Sequence, residues 1–556
     1  MVEAVEERSS RQNEGVALNL ALGVDREEVM HALESLVKQL TENPRIIASV
    51  WQDLSLELAA ITMGLSSIDP TAEDSRFKDD YYTANPLFKR VGQYYIAWGR
   101  ALDKWLDKLD LSDMDKKRAG FLMGILKDLA APVNNFYLNP QALKALFDTR
   151  GQSLANGLKN YLDDLRHNHG YPAVADRKGF TIGEDVAAST GSVIFRNEVF
   201  ELMQYEPITE TIHERPFLYV FSQVNRFYLG DLTLDRSLFQ ELLAEGIRVF
   251  AISWRNPTST QRKWNLDTYA ESVITGIDTM REITGQDKVN VMGLCAGGIT
   301  TAAALGLLDS RGIESVHSHS LFVNILDNRT EDSDFGLFVS ERSIEMQKSK
   351  VQAKGIFDEK DVFEMFAMLT PEESVMAFFR DNWLIGKPPP IHPLLFWSMD
   401  YTRVTAGLQC DYLDLAWENK LAQGNLTVVG QSVDLSKICY DTYIMAGSTD
   451  HITPWRGCYR STRLFGGDVQ FVLTNQNHTQ TISNKPNKYM KYWIAPELPD
   501  DADDWISKAV EIPGSWREHW IEWLKARSGA EVESISEMGS EEYPVLDKAP
   551  GRYVLE

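Results

Sequence analysis

Apolar and polar positions follow two different rhythms along this chain. From Arg26 to about Leu65 the apolar residues recur at helical spacing, and residues 66–85, with Ser, Asp, Pro and the aromatics Phe77, Tyr81 and Tyr82, break that rhythm and read as a loop. Pro86 opens a long amphipathic helix in which Phe88, Val91, Tyr95, Trp98, Leu102, Trp105 and Leu109 stand three or four positions apart. Such an aromatic stripe can bind lipid or polymer, but a helix packed on its neighbours is the simpler meaning. Further helices fit 114–131 and 140–166, on either side of Asn135-Phe136-Tyr137-Leu138-Asn139-Pro140. Residues 1–25 are polar and read as a loose tail. The first 190 or so residues are therefore expected to be all-helical.

After Gly191 short β-rich runs alternate with helical segments: Arg215–Phe221, Arg248–Trp254, Val289–Met292, Leu321–Ile325, Asp441–Met445 and Val469–Leu473. Strand–helix alternation implies a mainly parallel sheet covered on both faces. Residues 330–430 interrupt the alternation; they are helical, rich in Trp and Phe, and contain Pro388-Pro389-Pro390. They fall between the fourth and fifth strand candidates, where a cap is commonly inserted over the mouth of such a sheet. A C-terminal amphipathic helix, Ser515–Ala526 with Trp516, Trp520 and Trp523, precedes a polar tail. The expected division is a helical domain over 1–190, a sheet core over 191–329 and 431–556, and a cap over 330–430.

Composition narrows the function. A chain of 556 residues is too long for one core, and 44% apolar content is that of a globular protein. The formal charge of −24 argues against nucleic acid or an anionic membrane surface as the main partner, and obliges any anionic substrate to find a locally basic pocket. Four separated cysteines, Cys295, Cys410, Cys439 and Cys458, suit a reducing cytoplasm and give neither a zinc site nor a disulfide framework. The charged start, Met-Val-Glu-Ala-Val-Glu-Glu-Arg, lacks a signal-peptide core, and no run of about 18 uncharged apolar residues predicts a membrane span.

The chemistry centres on Gly293-Leu294-Cys295-Ala296-Gly297. A β-branched run, Val289 to Met292, precedes it and an Ala-, Leu- and Thr-rich helix follows. This is the G-x-S-x-G nucleophile elbow with Cys for Ser: a turn tight enough to strain the nucleophile, flanked by glycines that make room, at a helix N-terminus that favours thiolate. Such a nucleophile needs a base, and the base an orienting acid, in the order nucleophile, acid, His. The strand at 441–445 runs into Ala446-Gly447-Ser448-Thr449-Asp450-His451-Ile452-Thr453-Pro454-Trp455, so Asp450 stands where the acid belongs. The strand at 469–473 runs into Thr474-Asn475-Gln476-Asn477-His478. His451 is too close to Asp450 in sequence to bridge it to the thiol, and His519 belongs to the Trp-rich helix; His478 is the expected base. Two oxyanion donors are expected, the backbone N–H of Ala296 and that of Val224, in the loop Phe221-Ser222-Gln223-Val224-Asn225 after the first sheet strand. A Cys nucleophile exchanges nearly evenly with a thioester and keeps the acyl group activated, which favours acyl transfer over hydrolysis.

These residues make the chain resemble the bacterial poly(3-hydroxyalkanoate) synthases, within them the single-subunit class II enzymes, of the α/β-hydrolase superfamily. The resemblance runs from about residue 80 to the C-terminus and is carried by Asn135 to Pro140, Val193-Ile194-Phe195-Arg196-Asn197-Glu198, Gln204-Tyr205, Asn225-Arg226-Phe227-Tyr228, Ser253-Trp254-Arg255-Asn256-Pro257, Gly293 to Gly298, Asp450 to Trp455, and Ala549-Pro550-Gly551-Arg552-Tyr553-Val554. It implies an α/β-hydrolase fold with an inserted cap; Cys295, Asp450 and His478 as nucleophile, acid and base; (R)-3-hydroxyacyl-CoA as substrate and CoA as product, with no cofactor or metal. It also implies a homodimer at the surface of cytoplasmic polymer granules, with granule-coat proteins as further partners, and medium-chain units of roughly six to fourteen carbons. The sequence departs from the family pattern at Asn477, at Asn484-Lys485-Pro486, at Phe221-Ser222 and at Trp397-Ser398-Met399-Asp400. Two rivals remain on the residues alone: a Cys-triad acyl-CoA thioesterase or hydrolase, which shares the fold but has no need of the helical region, and a non-enzymatic granule-coat protein, which leaves the three reactive residues unexplained.

Overall fold

A computed structural model describes residues 30, 34–36, 38–39, 42–71, 74–329, 336–337, 339–535 and 537–556, so the expected N-terminal tail and the first turn of the Arg26 helix lie outside the described residues. The chain forms two compact units. A helical unit holds the described residues up to Asp176 together with Leu337–Ser343 and Glu364–Ile391; a sheet unit holds Arg177–Gly336, Ile344–Phe363 and His392–Glu556. The boundary thus falls at Asp176 rather than near 190, and the insertion expected over 330–430 is shared out instead of forming one body. Polar anchors account for both differences. Trp383 Nε1 donates to Asp164 at 2.7 Å and Asn382 Nδ2 to the Ala173 carbonyl at 2.7 Å, tying the 364–391 stretch to the helices. Ala187 N donates to the Asp231 carbonyl at 2.9 Å, tying 177–190 to the sheet unit.

In the helical unit α1 (Pro44–Met63) and α2 (Pro86–Lys108) each carry Pro in the first turn. The Asn85 side chain caps α2 by accepting the N–H of Leu87 at 2.9 Å. The aromatic stripe on α2 is half-buried: Phe88 and Tyr95 pack with Phe77, Tyr82 and Val133, and Leu102 and Trp105 with Leu109 and Met123 of α3 (Asp113–Ala130). The helix expected over 140–166 is two, α4 (Pro140–Asp148) and α5 (Gln152–His167), because Arg150 and Gly151 take φ of 53° and 89°. Helix α1 is long and apolar enough by length and composition to cross a membrane, with a mean hydropathy of 1.3 over an 18-residue window, but Asp53 and Glu57 lie within it, so it is not the uncharged apolar run that was expected to be absent. It packs Leu54 and Ile61 against Ala97 of α2 and leaves Trp51, Leu56 and Met63 exposed.

The sheet unit is built on eleven strands: β1 (Gly191–Arg196), β2 (Phe200–Tyr205), β3 (Phe217–Val220), β4 (Val249–Trp254), β5 (Val289–Leu294), β6 (Val316–Phe322), β7 (Asp441–Gly447), β8 (Val469–Thr474), β9 (Lys491–Ile494), β10 (Val510–Pro513) and β11 (Asp547–Lys548). Their order is β10-β9-β8-β7-β6-β5-β3-β4-β2-β1-β11. The six strands from β4 to β8 are parallel to one another, and antiparallel strands flank them on both sides. This is the α/β-hydrolase arrangement. After β3 the chain moves out to β4, then returns across β3 to lay down β5, so the order reverses between β3 and β5. Open α/β sheets bind ligands outside the carboxyl ends of their strands at such a reversal. Central strands are buried along their whole length, and fully burying each Leu or Phe here contributes roughly 2 kcal/mol. Helices α6 (Leu266–Thr284) and α7 (Ala296–Ser310) follow β4 and β5, and α8 (Ala406–Glu418) lies in the insertion.

One expectation for this unit is corrected. The fourth strand runs over Val316–Phe322 and ends where 321–325 was expected to begin, because its buried polar residues find internal partners. Ser318 donates to Asn290 at 2.8 Å, His319 Nε2 lies 3.1 Å from Thr301 Oγ1, and Trp520 Nε1 of α9 (Trp516–Lys525) donates to Ser320 at 3.0 Å. The polar C-terminal tail is docked on the sheet. β11 pairs with β1, and the Glu201 carboxylate, buried and paired with Arg196, accepts the N–H groups of Arg552 and Tyr553 at 2.9 Å each.

Candidate active site

Cys295 stands between β5 and α7 with φ 54° and ψ −134°, a conformation that strains any residue with a side chain. The elbow closes that tightly because nothing larger than glycine fits beside it. A Cβ on Gly293 would lie 2.6 Å from Gly298 Cα, and one on Gly297 2.6 Å from the Val220 carbonyl oxygen and 2.7 Å from Phe221 C. Asn324, just past β6, fastens the turn by donating from Nδ2 to the Cys295 carbonyl at 2.7 Å.

Asp450 lies just past β7, and both of its oxygens are occupied. Oδ1 accepts the backbone N–H groups of Ile452 and Thr453 at 2.9 Å each; Oδ2 accepts the Thr453 hydroxyl at 2.7 Å and faces His478 Nδ1 at 2.7 Å. His478 follows β8 and lies close enough to the Cys295 side chain to interact with it electrostatically, with Nε2 the nitrogen not committed to Asp450. The structure therefore brings the three expected residues together at the ends of β5, β7 and β8. His451 is exposed, and His519 Nδ1 sits 3.0 Å from the Tyr443 hydroxyl; neither meets the thiol. Both Asp450 and His478 are buried. Burial disfavours the His478 imidazolium, but Asp450 and Cys295 outweigh it and hold the group well above the ordinary histidine range. Burial likewise pushes Asp450 up, yet His478 and Thr453 keep it below the usual carboxylate range. The pair therefore favours a carboxylate at Asp450 and a protonated imidazole at His478. Cys458 lies near Asp450, where burial and the Asp450 charge push its thiol up and keep it protonated.

The expected oxyanion donors fare differently. Ala296 opens α7, so its N–H has no acceptor within the helix and lies next to the thiol. The Val224 N–H is engaged: it donates to Ser222 Oγ at 3.0 Å, in a turn closed by the Ser hydroxyl. The loop itself is fixed at many points. Trp254 Nε1 donates to the Phe221 carbonyl at 2.9 Å, Thr402 Oγ1 and N to the carbonyls of Gln223 and Val224 at 2.7 and 3.1 Å, and Trp397 Nε1 to that of Arg226 at 2.8 Å. Gln223 Nε2 donates to Thr300 Oγ1 at 3.0 Å, and the half-buried Tyr412 hydroxyl donates to Gln223 Oε1 at 2.7 Å. Arg226 pairs with Asp400 at 3.2 Å and donates to the Tyr553 carbonyl at 2.9 Å. Sequence reasoning missed Asn324, Thr402 and Tyr412; only their fall just beyond a strand or inside the insertion marked them out.

Several departures have structural roles. Asn477 Oδ1 accepts the Gln480 N–H at 3.0 Å just ahead of the short helix that follows His478, a contact glycine cannot make. Phe221 is buried between Tyr219 and Trp397. Among the described residues no group of three His, Cys, Asp or Glu side chains is placed to hold a metal ion.

The class is that of the α/β hydrolases: a family model described as the alpha/beta hydrolase fold matches residues 228–479. A second model, described as the poly-beta-hydroxybutyrate polymerase (PhaC) N-terminus, matches residues 73–242. Poly(3-hydroxyalkanoate) polymerase 2 of Ectopseudomonas oleovorans is 39% identical over 540 residues, covering 97% of this chain and 96% of its own. Polymerase 1 of the same organism is 36% identical, covering 97% of each chain, and the polymerase subunit PhaC of Cupriavidus necator is 32% identical over 90% of this chain and 86% of its own. The chain belongs to the poly(3-hydroxyalkanoate) polymerases.

Proposed function

We propose that this polymerase builds its polyester on Cys295, with His478 as general base and acid and Asp450 as its orienting partner. The Cys295 thiolate attacks the thioester carbonyl of an (R)-3-hydroxyacyl-CoA. The tetrahedral oxyanion is received by the Ala296 N–H and, once the Ser222 hydroxyl turns away, by the Val224 N–H. Collapse breaks the C–S bond to CoA, whose sulfur takes the proton of the His478 imidazolium, and leaves an acyl-Cys295 thioester. The 3-hydroxyl of another acyl unit then loses its proton to His478 and attacks that thioester, forming one ester link and releasing the Cys295 thiolate. The CoA thioester is substrate and CoA is product, so this cycle calls for no cofactor.

What supports this most is His478 lying between Asp450 and Cys295 with Nδ1 already committed to the carboxylate. On the same reading the enzyme takes medium-chain units, works as a homodimer and sits in the bacterial cytoplasm at the surface of polymer granules beside granule-coat proteins. Exposed apolar residues of the helical unit, among them Trp51, Leu65 and Phe147, support a surface-bound state. Residues 392–430 serve as the fixed part of the cap, since they hold the oxyanion loop. The test is incubation of the purified protein with 3-hydroxyacyl-CoAs of several chain lengths, following CoA release and turbidity together. Release with polymer is expected; release with free hydroxy acid and no polymer identifies a hydrolase instead.

A further inference from the structure

We infer that Thr453 is a positioning residue for acyl transfer, its hydroxyl fixing the Asp450 carboxylate in the orientation that presents Oδ2 to His478. This rests on the roles given to Cys295, His478 and Asp450 above. The carboxylate is held at two ends by one residue. The Thr453 backbone N–H meets Oδ1 at 2.9 Å and its hydroxyl meets Oδ2 at 2.7 Å, the oxygen that also lies 2.7 Å from His478 Nδ1. Without the hydroxyl, Oδ2 would meet only the imidazole it has to orient; the Thr453 donor holds that oxygen in place independently of His478.

The hydroxyl is itself aimed. Its β-branched side chain has few rotamers, and the Thr453 carbonyl accepts from Cys458 Sγ at 3.5 Å, so the residue is tied down from both sides of its backbone. Thr453 Oγ1 also lies 3.2 Å from His478 Nδ1. The single hydroxyl proton goes to the charged oxygen, which leaves lone pairs facing the imidazole and a secondary acceptor for its N–H. The titratable groups facing Asp450 are His478, with Cys295 beyond it, and the protonated Cys458.

Thr453→Val removes the donor at equal volume, and Thr453→Ser keeps it. Initial rates of CoA release are measured for both and for the parent enzyme through the neutral and mildly acidic range, with Cys295→Ala alongside. In Thr453→Val we expect kcat and kcat/KM to fall together, about tenfold, with KM unchanged. The acidic limb of the pH profile should move to higher pH, because Asp450 has lost a group that keeps it ionised, and Thr453→Ser should restore both. A Thr453→Val enzyme with the parent rate and profile, or a Thr453→Ser enzyme no better than Thr453→Val, overturns the inference. If Cys295→Ala still releases CoA and makes polymer, the assignment of the site has failed; if it is inactive and Thr453→Val is unchanged, only the role of Thr453 has.

Discussion

Replacing Gly297 by Ala tests how tightly the elbow is built. The added methyl would sit 2.6 Å from the Val220 carbonyl oxygen, 2.7 Å from Phe221 C and 2.8 Å from the Phe221 oxygen, where ordinary contact begins at 3.4 Å. All three are backbone atoms of β3 and the root of the oxyanion loop, and that loop is pinned by Trp254, Thr402 and Gln223. Neither side can yield cheaply, so the start of α7 must withdraw by about 0.8 Å. Overpacking of this kind costs about 1–3 kcal/mol of stability. Because the same shift pulls Cys295 and the Ala296 N–H away from where the acyl group sits, kcat/KM should fall about a hundredfold. Chemical denaturation gives the first quantity and initial CoA release the second. Gly124→Ala, in α3 with nothing near the added methyl, is the control and should be neutral or stabilise by about 0.5–1 kcal/mol. A Gly297→Ala enzyme as active and as stable as its parent would refute the steric reasoning.

Three further outcomes follow from the contacts. Asp450→Asn should lower kcat by about three to four orders of magnitude while leaving the denaturation midpoint nearly in place, since the amide pairs with the wrong imidazole tautomer; CoA release checks it. His319 is buried and neutral on β6, its titration pushed down to about 3 by burial, so below the ordinary value of 6.5 the unfolded chain binds a proton that the folded one does not. Its contribution is therefore complete above pH 6.5 and is lost as pH falls, by about 2 kcal/mol at pH 5, and His319→Gln should flatten that part of the stability–pH curve measured by urea unfolding. Glu201→Ala leaves Arg196 with Asp547 alone and the N–H groups of Arg552 and Tyr553 without their acceptor, and should cost about 1–3 kcal/mol for each N–H left unsatisfied, in the same assay.

The candidate site was legible in the sequence because its signals are local. Gly293 to Gly297 names its own turn, and Asp450 and His478 each follow a β-branched run. The antiparallel flank was less legible: β1 and β2 carry Arg196, Glu201 and Gln204, whose partners Asp547, Arg552 and Gly539 lie hundreds of positions away. Polar residues at 318–320 masked a strand for the same reason, since what satisfies them comes from β5, α7 and α9. The break between α4 and α5 turned on Arg150 taking a positive φ, which residue type does not announce. The sharing of the insertion between two units depended on single side chains, Trp383 on one and Thr402 on the other, in a stretch of uniform texture. The engagement of Val224 by Ser222 arose at the residues where the chain departs from its family's pattern.

The central claim is that the growing polyester is carried on one sulfur. Acid-quenching the enzyme within its first turnovers on a 3-hydroxyacyl-CoA, digesting it and mapping the adduct by mass spectrometry tests this directly. The acyl mass should appear on the peptide containing Cys295, be absent from those of Cys410, Cys439 and Cys458, and vanish in Cys295→Ala together with CoA release. An acyl group found on another residue, or polymer formed with no adduct on Cys295, would contradict it.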